Sequence, residues 1–279
     1  MIFDRQNMIL LLGLVFTVMA FWGLAAWCLP GESIPKLVVK IVRRHSMDWL
    51  WLFYVATIAV VILMDILETK YDAQITSYLR WDFTPYFLRL EGPATALFQM
   101  VNAPWLTYAL SAVYLYVFPV IGVVAILVTY REGEFEVTRK LFWTAILNYL
   151  LIIPFYILVP VSERWSAGDG EVQLLMNQIS PFLIEGLRPL SGLNNCFPSF
   201  HTSLAFSFAM IVARSRNKRL RRTMTALAWL VLFSTLYLGF HWVLDVFGGL
   251  IFAAFCAVLS EWAVENLPLE TAFQRARSR

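Results

Sequence analysis

The sequence predicts an all-α, polytopic membrane bundle, and three observations carry that prediction. Hydrophobic residues make up 59% of the 279-residue chain and charged residues only 15%. The mean hydropathy is +0.66, outside the range of soluble domains. The apolar residues also gather into runs close to the roughly 20 residues that a helix needs to cross a bilayer. No internal repeat or low-complexity linker interrupts the chain. The expected organisation is a set of amino-terminal helices over residues 1–140, without a motif of their own, followed by a helix bundle over 141–279 that carries the chemistry.

About seven spans are expected. The first, residues 8–29, follows Arg5 as a signal peptide would, but the run is too long for such a core. Trp27 also stands before Cys28, where lipoprotein processing requires a small residue. The second to fourth spans are 48–67, 104–130 and 141–161. The fifth, 198–213, opens at Pro198, whose missing N–H and preset φ suit a first helical position. The basic run Arg214-Ser-Arg-Asn-Lys-Arg-Leu-Arg-Arg222 separates it from the sixth and seventh, 223–240 and 242–260. Residues 71–103 and 171–187 mix apolar and polar side chains and are expected to form helices in the outer interface, as scaffold or as a rim over a lipid substrate.

Positive charge sets the expected orientation. Loops 30–47, 131–140 and 214–222 and the tail after 261 hold 4, 3, 6 and 3 Lys or Arg, whereas the opposite side holds Arg5, Lys70, Arg80, Arg89, Arg164 and Arg188. That imbalance places the amino terminus outside and the carboxyl terminus in the cytoplasm. The basic run then reads as a topology signal and a contact for anionic lipid, with no nucleic-acid role. His45, beside Arg43 and Arg44, reads as a headgroup contact on the same side. Cys28, Cys196 and Cys256 are odd in number and lack a CxxC spacing, so no disulfide or cysteine metal site is expected.

The other two histidines carry the chemistry. His201 falls in the first turn of the fifth span, and His241 follows after two crossings of roughly 30 Å, so both lie at one outer level. Asp245, four residues after His241, can accept the Nδ1–H of its imidazole and leave Nε2 free as nucleophile or base. Ionisable groups at such depth mark a functional site. Ser199, Phe200 and His201 open a helix whose N–H groups form an anion cradle, and Arg188 in the same outer loop can grip a phosphate.

At these residues the chain resembles the type 2 phosphatidic acid phosphatase (PAP2) superfamily. That family carries Lys-x6-Arg-Pro, Pro-Ser-Gly-His and Ser-Arg-x5-His-x3-Asp. Here the second motif is Pro198-Ser199-Phe200-His201 and the third is Ser234-Thr235-x5-His241-x3-Asp245. The first survives as Arg188-Pro189, with Pro181 in place of lysine. The resemblance implies a metal-free and cofactor-free phosphotransfer on a membrane lipid phosphate, with His241 as nucleophile, Asp245 orienting it and His201 protonating the leaving oxygen. Ser199, Arg188, Phe200 and Thr235 occupy the phosphate-binding positions. Phe200 stands for glycine and Thr235 for arginine, so other cations must contribute, with Arg80, Arg89, Lys70 and Arg164 as outer-side candidates. Phe197-Pro-Ser-x-His201, His241-Trp242-x2-Asp245 and Gly248-Gly249 are similar to the inositol phosphorylceramide synthase branch, whose members transfer a phospho-headgroup between lipids, which implies an alcohol or lipid acceptor as a further partner. The glycine pair also fits simple helix packing.

Three other readings compete. Facing histidines could ligate haem in an electron carrier, though one pair serves only one haem. Asp65 and Glu68, at the end of the second span, could relay protons in a coupled transporter, but interfacial solvation explains them there. Cys196 could pair with His201 as a nucleophile, with nothing to orient the imidazole.

Overall fold

The computed structural model describes residues 2–45, 48–180 and 192–267. Ten α-helices run through them: α1 (Ile2–Cys28), α2 (Ile34–His45), α3 (Trp49–Leu79), α4 (Thr84–Glu91), α5 (Pro104–Ala112), α6 (Phe118–Arg131), α7 (Phe135–Leu158), α8 (Phe200–Val212), α9 (Lys218–Tyr237) and α10 (Val243–Asn266). Among the described residues the only β pairing is an isolated bridge between Val161 and Asn195. The expected all-α membrane bundle is what the chain forms.

Among the described residues, five stretches are long and apolar enough to cross a membrane: Leu11–Cys28, Trp49–Tyr71, Pro104–Arg131, Phe135–Leu158 and Val243–Asn266. The remaining two expected spans form helices of a different kind. With 13 residues, α8 is about 20 Å long, short of a hydrocarbon core. Helix α9 begins inside the basic run, at Lys218, because Asn217 caps it by accepting the Leu220 N–H at 2.9 Å.

Several boundaries differ from the sequence expectation for identifiable reasons. Helix α3 does not stop at 67 but continues to Leu79, since residues 68–79 contain neither Gly nor Pro. Asp65 and Glu68 therefore sit inside a helix rather than at its end, and Glu68 is buried. Residues 30–47, expected as loop, contain the amphipathic helix α2. Residues 71–103 hold the end of α3, α4 and a 3-10 turn at Ala94–Gln99. In 171–187 the described residues form only a 3-10 turn, Leu175–Gln178; residues 181–187 lie outside the described part. The 104–130 span is interrupted at Val113–Val117 by a π turn. Pro119 explains it: without an N–H, proline cannot complete the regular ladder, and the chain takes a wider turn just before it.

Helix α8 lies at the centre, packed on α6, α7, α9 and α10. The main core gathers Leu204, Phe208 and Ile211 of α8, Ile121 and Val124 of α6, Met224 and Val231 of α9, and Ile34 and Leu37 of α2. A polar seam runs through it. Asn148 of α7 accepts from the Ser203 hydroxyl at 2.5 Å and donates to Ser207 at 3.0 Å, while Thr144 reaches Ser260 of α10 at 3.1 Å. Such interhelical hydrogen bonds fix helix register where apolar packing alone does not.

The bundle has two distinct ends. At one, Arg131 pairs with Glu32, Asn217 donates to the Cys28 carbonyl, and Arg214 meets Glu261. The loops rich in Lys and Arg thus converge. At the other end, α4 and the loops around 92–103 and 162–178 hold the segment around His241: Glu91 accepts the Leu244 N–H, Gln99 donates to the Tyr237 carbonyl, and the N–H groups of Arg164 and Leu175 donate to the Phe240 and Leu238 carbonyls.

Candidate active site

The segment before α8 is held by backbone pairing. The Val161 N–H donates to the Asn194 carbonyl and the Cys196 N–H donates to the Val161 carbonyl. Helix α8 then starts at Phe200 and not at Pro198, because Ser199 is its N-cap: the Ser199 Oγ accepts the Thr202 N–H at 3.3 Å and donates to the Thr202 hydroxyl at 3.0 Å. Pro198 precedes the cap on a cis peptide. Ser199 is fully buried in this role, so its hydroxyl serves the helix end, and the nearby donors are the first-turn amides of Phe200 and His201.

The segment before α10 is built as a reversal. Helix α9 ends at Tyr237, and Gly239 follows with φ +88°, a conformation that favours glycine. The N–H groups of Phe240 and His241 both donate to the Thr235 carbonyl, at 3.1 and 3.2 Å. Thr235 thus shapes the turn through its backbone, while its hydroxyl donates to Leu232 within the helix and is buried away from the cavity. The Arg164 N–H donates to the Phe240 carbonyl and the Trp165 N–H to that of Gly239.

His241 is therefore not a helical residue, as the spacing suggested, but stands just ahead of the N-cap. Asp245, at the third helical position, folds back over the helix end. Its Oδ2 accepts the Trp242 N–H at 2.9 Å and lies 3.2 Å from the His241 Nδ1. The carboxylate is fully buried. A carboxylate can only accept, so this contact calls for the proton on Nδ1 and leaves Nε2 with its lone pair. The His201 ring lies 5.9 Å from the His241 ring between centroids, so the returning helix brings the two imidazoles together.

Both cavity walls are aromatic near the histidines. Tyr114, in the π turn, stacks on His201 at 4.3 Å and 21°, and on Phe240 at 4.7 Å and 7°. The Phe118 ring also lies against His201, at 4.5 Å and tilted by 40°. Neither was singled out in the sequence, although Pro119 inside an apolar span signalled an irregular turn there. Trp242 is buried beneath the Arg164 guanidinium, 4.6 Å from the ring, and its Nε1–H donates to the Ser162 carbonyl. Arg164 is itself buried and paired with Asp169 at 2.7 Å, and the guanidinium holds the Asp169 carboxyl below the usual carboxylate range. Of the outer-side cation candidates, Arg164 hence anchors Trp242. From α4, Glu91 accepts the Leu244 N–H at 3.1 Å at the start of α10.

The cavity at the histidines measures about 80 Å³, and Asp65, Thr69, Glu163 and Asn195 are among the residues that line it. Phe200 lines it together with His201 and His241. Lys70, Arg80, Arg89 and Arg164 do not, and Arg188, like Pro181 and Pro189, lies outside the described residues. Cys196, His241 and Asp245 bring their potential ligand atoms within 4.8 Å of one another, a set the sequence spacing did not foretell. In this structure the thiol contacts the Phe240 carbonyl at 3.5 Å and the imidazole is engaged with the carboxylate.

The PAP2 superfamily model matches residues 88–259, which takes in His201, His241 and Asp245. The chain belongs to the PAP2 superfamily. That membership supports a membrane lipid phosphatase. The crystal structure of LpxE from Aquifex aeolicus is similar in part, with a TM-score of 0.47 and 21% identity over 61% of this chain and 94% of that one. No curated protein sequence matches the chain.

Proposed function

We propose that the protein cleaves a lipid phosphoester or phosphoanhydride through a phosphohistidine, at the extracytoplasmic face of the membrane. The observation that carries this is the His241–Asp245 contact of 3.2 Å with His201 5.9 Å from it between ring centroids, in a chain of the PAP2 superfamily. Nε2 of His241 attacks phosphorus, the P–O bond to the leaving group breaks, and His201 gives its proton to the departing oxygen. Asp245 holds the ring and stabilises the charge it gains. In the second half, water or an alcohol gives a proton to His201 and attacks the phosphohistidine, which restores both imidazoles. Phosphate is held by the α8 first-turn amides of Phe200 and His201, with Arg188 as the cation. The outside location of the site follows from the positive-inside imbalance of the loops.

Transfer to an alcohol is the second reading, and the cavity lining favours considering it. Asp65, Thr69, Glu163 and Asn195 present acceptors for hydroxyl groups, as an alcohol or polyol acceptor would need, in keeping with the headgroup-transferring branch. A haem between the imidazoles finds no space in a cavity of this size. The deciding experiment incubates the purified protein with labelled phosphatidic acid, polyprenyl diphosphate and phosphoinositides, with and without alcohol acceptors. Free phosphate marks hydrolysis and a new phospholipid marks transfer; no turnover of any member of the panel counts against the proposal.

A further inference from the structure

A second cavity lies at the opposite end of the bundle from the histidines. It measures about 290 Å³ and is lined by Glu32, Leu37, Lys40, Ile41, Arg44, Tyr130, Arg131, Gly133 and Phe135. Three features define what it can hold. Its charge is positive: Lys40, Arg44 and Arg131 face Glu32 alone, and Arg131 takes up that carboxylate at 2.8 Å. Its other wall is apolar, from Leu37 and Ile41 on α2 and from the Tyr130–Phe135 pair, whose rings meet edge to face at 5.4 Å. And it sits under an amphipathic helix. Ile34, Leu37, Val38 and Ile41 of α2 pack on the main core, Lys36, Lys40, Arg43 and Arg44 follow on the polar side, and Val39 and Val42 remain 48% and 62% exposed. A basic helix with exposed valines beside its cations is suited to the headgroup boundary of a bilayer.

We infer that this cavity is a binding site for one anionic phospholipid, its phosphate held by Lys40 and Arg44 and its upper chains laid against Leu37, Ile41 and Phe135. An isolated phosphate ion would use the cations but not the apolar wall. A neutral zwitterionic lipid would use the wall but bring its own positive charge to Lys40 and Arg44. Only a lipid with net negative charge satisfies both. The site is independent of the reaction at the histidines.

The test uses the full chain in detergent, titrated with short-chain phosphatidylglycerol, short-chain phosphatidylcholine and inorganic phosphate, and read by thermal stabilisation and native mass spectrometry. Phosphatidylglycerol is expected to raise the melting temperature and remain bound, more strongly at low salt than at high. Each cation at a membrane surface strengthens binding about fivefold, so Lys40→Gln with Arg44→Gln is expected to weaken it about 25-fold. Lys36→Gln, which removes a cation of α2 that does not line the cavity, should leave binding unchanged. Equal binding of phosphatidylcholine, equal stabilisation by phosphate alone, or a double variant that binds as the wild type does would each overturn the inference. So would a comparable loss in Lys36→Gln, since a diffuse basic surface would then suffice.

Discussion

Substituting Gly249 by alanine tests how closely the two catalytic segments are held. A methyl group on Gly249 would lie 2.7 Å from the Ser199 carbonyl oxygen, 3.1 Å from the Thr202 Cβ and 3.3 Å from the Ser199 Cβ. A carbon–oxygen contact is comfortable at about 3.3 Å, so α8 and α10 must part by roughly half an ångström. The obstacle is backbone, at the N-cap of the helix that carries His201, and it cannot rotate away. The Ser199 N–H also donates to the Asp245 carbonyl at 3.0 Å, so the displacement passes directly between the two motifs. Overpacking of this kind costs about 1–3 kcal/mol. Since a shift of about 1 Å at a reacting centre costs about 100-fold in rate, half of it predicts a loss of about tenfold in kcat/KM. Gly248→Ala meets chiefly the Phe197 ring, at 2.6 and 3.1 Å, which can tilt, so its effect should be smaller. The assay is phosphate release from a lipid phosphate by purified variants, with melting temperature measured in parallel. A Gly249→Ala enzyme with the wild-type rate would refute the claim that this contact sets the spacing of the histidines.

Four further outcomes are expected. Asp245→Asn should reduce turnover by several orders of magnitude while membrane insertion stays intact, because the amide can present the wrong partner to Nδ1; turnover and membrane extraction profiles check it. Tyr114→Ala should lower kcat about 2- to 12-fold, the worth of one aromatic contact of about 0.5–1.5 kcal/mol, whereas Tyr114→Phe keeps the ring and should restore it. Arg164→Ala should destabilise the loop over Trp242 and lower the melting temperature, with Arg164→Lys a poor substitute because it cannot form the two-pronged contact with Asp169. The Asp169 carboxyl is held below its usual range by Arg164, so its contribution is present at neutral pH and lost as pH falls through that lowered value; melting temperatures between about pH 7 and pH 3 should fall more steeply for the wild type than for Asp169→Asn.

The sequence made part of this site legible for a physical reason. His201, His241 and Asp245 are ionisable groups in an apolar chain, so few residues compete for attention, and helix rise alone brings both histidines to one end. The glycine pair was read as packing, and the contacts of Gly248 and Gly249 with Phe197 and Ser199 are of that kind. What could not be read was carried by tertiary contact. Tyr114 stacks on His201 from within a π turn that hydropathy does not reveal. Glu91 and Arg164 act on α10 from segments about 150 and 80 residues away. Helix ends shifted where a side chain outcompeted the hydropathy pattern, as when the Ser199 cap made α8 begin at Phe200, two residues after Pro198. Asp65 looked like an interfacial residue because its helix was expected to end there; with α3 running on to Leu79 it faces the cavity instead.

The central claim is that phosphorus passes through a covalent bond to His241. Rapid acid-free quenching of the purified protein with a labelled lipid phosphate that it turns over, followed by peptide mapping, measures this directly. The account predicts an acid-labile, alkali-stable label on the peptide containing His241, formed within a turnover and missing in His241→Ala. A label on another residue, or steady turnover by His241→Ala at the wild-type rate, would contradict it.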